Sequence, residues 1–275
     1  FSCTVLYIFI FALLTASPFN SVLSKYVSDV IYEERYEDIR PCYYLGLLMN
    51  ILLSCLLGIP FCLWEHFVGK VDVFYVFIGY CGYISLVLVF YSMIYLSIAK
   101  DYEKISLFFF LGMLEAFLLS LFLRYIMHWG IRESMLFALM TGFFLIAFLE
   151  SAVVKRYFIN NSNRYRSVLR YFRKYWKLVV SNFFYNLGLY IHNFVFWTTE
   201  MKLVLVKSFV CNQPYDMATC LAMFTNISTS VIFISRIEMH FHQRYKTYSE
   251  AVIGGREMDI DLAKKRMFHQ VSEEL

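Results

Sequence analysis

The chain reads as an all-α polytopic membrane protein with about seven transmembrane helices, and three observations lead there. Residues are 60% hydrophobic, 20% aromatic and only 17% charged, with a mean hydropathy of +0.56. Soluble domains carry about 25% charged residues, so lipid must solvate much of this surface. Next, seven apolar runs approach or exceed the ~20 residues that a spanning helix needs. Finally, positive charge falls on alternate loops between those runs, the pattern of a chain threaded through a bilayer.

The first run is Phe1–Phe19, and within it Phe1–Ala16 lacks a basic n-region, so a cleaved signal peptide is not expected. Phe1 is not an initiator Met and opens directly on apolar sequence; a chain cut from a longer one, at its start and at its end, is the expectation. After Pro18 the mixed stretch Asn20–Arg40 looks helical, with Lys25 and Asp29 as i, i+4 partners worth a few tenths of a kcal/mol if exposed. The runs Cys42–Trp64, Val71–Ala99, Ile105–Met127 and Ser134–Val154 follow, then Leu178–Thr199 and Met217–Ser235. These runs are apolar on all faces, which a soluble helical core does not require. Nor do they alternate over ~10 residues as barrel strands do. Past the Gly254-Gly255 break, Asp259–Leu275 is expected to be a helix, with Asp259 as N-cap and Asp261 in its first turn.

Loop 25–41 carries three Lys or Arg, loop 100–104 two, loop 155–177 eight and the tail from Arg236 seven. The opposite loops hold Lys70, Arg132, Lys202 and Lys207, and Arg124 lies within a run. The rule that basic loops stay inside puts Phe1 outside and the tail in the cytoplasm. Residues 155–177 interleave those eight cations with aromatics, which in isolation would suit nucleic acid. Flanked by two spans, they are a topology signal instead, and no nucleic-acid partner is expected. Tyr165, Leu169, Phe172 and Trp176 share one helical face, and Arg166, Arg170, Arg173 and Lys177 follow one residue on. With Lys174 they predict an amphipathic helix lying on the anionic inner leaflet.

No phosphate loop, nucleophile elbow or metal cluster occurs, so no enzyme activity and no cofactor are expected. The seven Cys sit mostly in apolar runs and read as small buried hydrophobes. His240 and His242, at i, i+2, do not face one site on a helix. The Asn226–Ser228 triplet lies in a predicted span and is set aside as a glycosylation site. Membrane-buried polar groups are better candidates. Glu115 is central in its run and should face a cavity or a partner helix; a pathway role and a structural role are both open. Arg124 can snorkel outward and Glu150 toward the cytoplasm. In Leu178–Thr199, Asn182, Asn186 and Asn193 lie near one stripe, with His192, Tyr185 and Tyr190 around it. Such a stripe either glues helices or lines a polar conduit. The conduit candidates are Glu115, Asn182, Tyr185, Asn186, His192 and Asn193.

Three stretches carry a family resemblance: SPFNSVLSKYVSDVIY from Ser17 to Tyr32, YNLGLYIHNFVFW from Tyr185 to Trp197, and FISRIEMHFHQRYKTYSEAVIGG from Phe233 to Gly255. Together they resemble the PelG family, polytopic transporters of the Pel exopolysaccharide system within the multidrug/oligosaccharidyl-lipid/polysaccharide exporter superfamily. The family pattern usually has an acidic then a basic residue where this chain has His192 and Asn193, which counts against an ion pair there. The resemblance implies about a dozen spanning helices in two lobes that rock around a central cavity. Residues 1–154 would form most of the first lobe, lacking its first helix. Residues 155–177 would be the cytoplasmic connector and 178–275 the start of the second lobe. It further implies a subunit exporting a hexosamine polymer across the bacterial cytoplasmic (inner) membrane. Its partners would be the polysaccharide, the lipid bilayer, a cytoplasmic glycosyltransferase and other membrane subunits of the secretion system. Two other readings stand beside it: a cation-coupled drug or lipid-linked oligosaccharide transporter with Glu115 as ion site, and a non-transporting scaffold that docks a glycosyltransferase.

Overall fold

The computed structural model describes residues 1–99, 101–200, 202–206, 209–219, 221–222 and 244–274. Its order is α1 (Ser2–Tyr32), α2 (Ile39–Phe67), α3 (Val73–Ile98), α4 (Tyr102–Tyr125), α5 (Ile131–Tyr157), α6 (Tyr165–Lys174), α7 (Trp176–Thr198), β1 (Leu203–Val206), β2 (Phe209–Cys211) and α8 (Glu257–Glu274). Contacts divide the chain into two units, Phe1–Asp216 and Met217–Leu275. The first unit is a helical bundle, and α1 to α5 are each long and apolar enough to cross a membrane. The sixth expected span is a helix of the right length, α7, but its Asn, His and Tyr residues leave it short of that apolarity. The seventh, Met217–Ser235, lies largely outside the described residues, as do Asn226, His240 and His242.

The first helix does not stop at Phe19. It continues through Pro18 to Tyr32 because Val22, Leu23, Tyr26, Val27 and Val30 form a buried strip on the bundle side. Lys25 and Asp29 pair at 3.7 Å. α2 turns Gly46, Asn50, Ser54 and Gly58 inward at four-residue spacing and leaves Leu48, Leu52, Leu56 and Leu63 exposed. Small inward residues with large outward ones suit close helix packing in lipid. α3 is central and touches α1, α2, α4 and α5. Asp72 caps it, accepting from Phe74 N at 3.1 Å and Tyr75 N at 3.4 Å. At the connector end of the bundle, Tyr43 donates to Ser151 Oγ at 2.8 Å and Tyr91 to the Tyr43 carbonyl at 2.7 Å, tying α2, α3 and α5 together.

The connector helix is shorter than its sequence periodicity predicts. α6 ends at Lys174, Tyr175 leaves helical geometry, and Trp176 and Lys177 begin α7. Its buried strip is Val168 with half-buried Tyr171 and Phe172, packed against the bundle, while Leu169 and Trp176 stay 50% and 57% exposed. Side-chain bonds to α1 select that strip: Tyr171 donates to the Asp29 carboxylate, and Tyr26 shares a 3.1 Å bond with Ser167. The segment before α6 is held by Asp38, which is fully buried and takes Ser162 Oγ, Arg35 at 2.7 Å and Arg164 at 3.7 Å.

β1 and β2 form an antiparallel hairpin, Leu203 opposite Cys211 and Val204 opposite Val210, with a bulge before the Val206–Phe209 pair. Of the second unit, residues 217–219, 221–222 and 244–274 are described. Arg256, not Asp259, precedes that helix; Asp259 lies in its first turn and accepts from Arg256 N at 3.1 Å.

Candidate substrate cavity

A cavity of about 700 Å³ opens at the end of the bundle where α1 starts, α2 turns into α3 and α5 begins. Helical spacing builds its walls. Thr4, Tyr7, Ile8 and Phe11 share one face of α1, and Tyr75, Val76, Gly79, Tyr80 and Tyr83 share one face of α3. Gly58 and Gly79 leave the space open. A Cβ on Gly58 would lie 2.5 Å from Tyr80 Cε2, so only glycine lets the Tyr80 ring lie across α2. Phe209 and Leu205 bring the hairpin to the same wall.

The rings are held in place. Tyr7 stacks on Trp197 of α7 at 4.3 Å and on Phe209 at 4.7 Å, and its hydroxyl donates to the Val210 carbonyl at 2.7 Å. Thr4 and Tyr75 share a 2.9 Å bond, and Thr15 and Tyr83 one of 2.7 Å. The Tyr80 hydroxyl is buried beside the Cys55 thiol. Trp197 Nε1 donates to Asp216 at 3.2 Å, and Asp216 also accepts from Asn212 N at 3.0 Å, which fastens α7 to the segment after the hairpin. Burial raises the Asp216 carboxyl above its usual range.

Charge gathers at one part of the lining: Glu65, Lys70, Asp72, Arg132 and Glu133. Glu65 is only 4% exposed. Asp72 is engaged in capping α3, and Glu133 folds back over Gly130, where a Cβ would meet its Oε2 at 2.0 Å. Large aromatic walls with a few placed polar groups are the usual make-up of a small-molecule site, and about 300–1,000 Å³ is the usual size.

The six conduit candidates are not in this lining. Glu115 is half-buried on α4 beside Thr141 of α5, and its Oε2 has no hydrogen-bond partner among the described residues. On α7, Asn182 donates to the Ser17 carbonyl next to Pro18, and Asn186 donates to the Asn182 carbonyl at 2.9 Å. Asn193 is fully buried, and His192 meets Tyr215 edge-on at 5.6 Å. Tyr185 is 67% exposed. The α1–α7 seam thus holds Asn182, while Glu115 stands apart on the α4–α5 face. The surface candidates Arg166, Arg170, Arg173, Lys174 and Lys177 are all exposed. Tyr7, Glu65, Tyr75, Tyr80 and Phe209 escaped sequence reasoning. Tyr75, Gly79, Tyr80 and Tyr83 do recur at helical spacing, but inside an apolar run that spacing has no polar contrast to mark a face.

Among the described residues no group of three or more metal-ligating side chains could hold a metal ion. No curated protein and no solved structure matches the chain. The PelG family model, described as "Putative exopolysaccharide Exporter (EPS-E)", matches residues 1–275, the whole chain. With a bundle of apolar spanning helices beneath that match, the chain is a membrane protein of transporter type and belongs to the PelG family.

Proposed function

We propose that this chain is the membrane subunit that carries a hexosamine exopolysaccharide of Pel type across the bacterial cytoplasmic membrane. The observation that carries the reading is the exporter-family match over the full length, set on five apolar helices. In this reading the hairpin end faces outward and the connector lies at the inner leaflet, as the loop charges require. The α1–α7 seam is where two lobes would meet, and Asn182, Asn186, His192 and Asn193 lie on or beside it. Hydroxyls and amides there can exchange hydrogen bonds with a passing sugar chain. A cytoplasmic glycosyltransferase and further membrane subunits would feed and receive the polymer.

Deleting the gene should abolish secreted polymer while the transferase stays active in the cell, and the full-length protein should restore it. Continued secretion in the deletion strain would end this reading. Glu115 tests the conduit separately. Glu115→Gln should lower export several-fold at normal protein level, and full export would remove Glu115 from the path.

A second reading, cation-coupled transport of a drug or lipid-linked oligosaccharide, draws on two carboxyls. Glu115 Oε2 and both carboxylate oxygens of fully buried Glu150 have no hydrogen-bond partner among the described residues. Transport of a small dye by the full protein, dependent on a sodium or proton gradient, would favour it.

A further inference from the structure

The cavity enclosed by α1, α2, α3 and the hairpin has features that a lipid tail would not need. An acyl chain is satisfied by apolar walls alone. This cavity buries the Glu65 side chain and the Tyr80 hydroxyl, and carries Lys70, Asp72, Arg132 and Glu133 in its lining. Its rings are also fixed rather than loose. Tyr7 is clamped between Trp197 and Phe209, and its own hydroxyl is tied to Val210. A ring clamped in this way fixes its neighbours, so that Phe61 and Phe209 beside it can offer a platform at low entropic cost. Pyranose rings present the complementary surface: one C–H face for stacking, and a rim of hydroxyl or amide groups for hydrogen bonds.

We propose that this cavity is a saccharide-binding site, taking a short run of hexose or N-acetylhexosamine units. Sugar faces stack on the aromatic wall of Phe61, Tyr75 and Phe209, which Tyr7 backs. Sugar hydroxyls or amides bond to Glu65 and to the Tyr80 hydroxyl. The site rests on the exporter reading above and places one polymer-binding station in it, at the end of the bundle that carries the hairpin. Gly79 makes the site testable without breaking it. A Cβ there would meet only Thr4 Cγ2, at 3.9 Å, so a longer side chain can grow into the cavity rather than into backbone.

The test uses the full-length protein in a detergent without a sugar headgroup. Tryptophan fluorescence follows titration with N-acetylglucosamine tetramer and with its deacetylated form, since Trp197 stacks directly on the Tyr7 wall. Saturable binding of either tetramer is expected. Gly79→Leu and Tyr75→Ala should each weaken it about tenfold or more, as loss of a packed anchor does. Phe117→Ala, on the outward face of α4, should bind normally. Helix content and melting temperature of the variants show that they are folded. No binding by the unaltered protein overturns the proposal, as does binding that Gly79→Leu and Tyr75→Ala leave unchanged. A phospholipid that copurifies with the unaltered protein and is lost from Gly79→Leu would identify an acyl chain as the occupant, also against it. Export separates this proposal from the one beneath it. Secretion lost on gene deletion but retained by Gly79→Leu rejects the site alone, whereas secretion unaffected by deletion rejects the exporter reading.

Discussion

At the residue scale, Asp101 shows how one side chain can serve several elements. Its carboxylate accepts from Lys104 N at 3.4 Å and Lys104 Nζ at 2.5 Å, and takes the Tyr157 hydroxyl from the end of α5. It therefore caps α4 and ties it to α5 at once. The bonds from Lys104, then from Tyr157, hold its carboxyl below the usual aspartate range. A group whose folded pKa is depressed stabilises the fold above its unfolded value, and that stability is lost as pH falls through the folded value. Asp101→Ala should cost about 1 kcal/mol at neutral pH, the usual loss for an N-cap. Melting temperature measured from pH 7 down to pH 3 should fall more steeply for the parent than for Asp101→Asn. Parallel curves for the two would show that the carboxylate contributes nothing as a charge.

At the element scale, the α4–α5 pair depends on two glycines. A Cβ on Gly142 would lie 2.6 Å from the Gly112 carbonyl oxygen and 3.0 Å from Ala116 Cβ, and one on Gly112 would lie 2.3 Å from Ile146. The helices meet backbone to backbone, so packing rather than hydrophobic exclusion holds them in lipid. Gly142→Leu must part them and should cost about 1–3 kcal/mol or more, as overpacking does. Gly188, on α7, has nothing within 4 Å of its Cβ position, so Gly188→Ala should be neutral or gain up to about 1 kcal/mol of helix propensity. Thermal scans of the two variants in detergent compare these directly, and equal melting points would refute the close contact. Elements of this kind were largely legible in the sequence. All four long runs from Cys42 to Val154 became helices with bounds shifted by a few residues. The misreadings share a cause, because local rules were overridden by contacts. The apolar run to Phe19 and the helical stretch after Pro18 read as two segments, yet burial of Val22, Leu23 and Val27 joins them in one helix. Leu203–Val206 looks like a loop between spans until Val210 and Cys211 pair with it.

At the scale of the molecule, the site was less legible than the spans. Glu115 and the α7 asparagines stood out because polar groups are conspicuous in an apolar run. The cavity arises from α1, α2, α3, α5 and the hairpin together, and Tyr7 and Phe209 meet only through the fold. The connector stands between these cases. Its eight cations were visible at once, but which face of α6 is free was decided by Tyr171 on Asp29 and by buried Val168. With that side fastened to the bundle, Arg166, Arg170 and Arg173 point away from it alongside exposed Leu169. Cations on a fixed outward face can meet anionic headgroups together, at about 1 kcal/mol each near the surface. In the proposed orientation they would also weight the loop toward the inner side during insertion. Replacing Arg166, Arg170, Arg173 and Lys177 with Gln should therefore lower correctly inserted protein, and alter the labelling of cysteines placed in the flanking loops, more than it alters which polymer is secreted. Loop accessibility unchanged by all four substitutions would mean that the spans orient themselves without the connector.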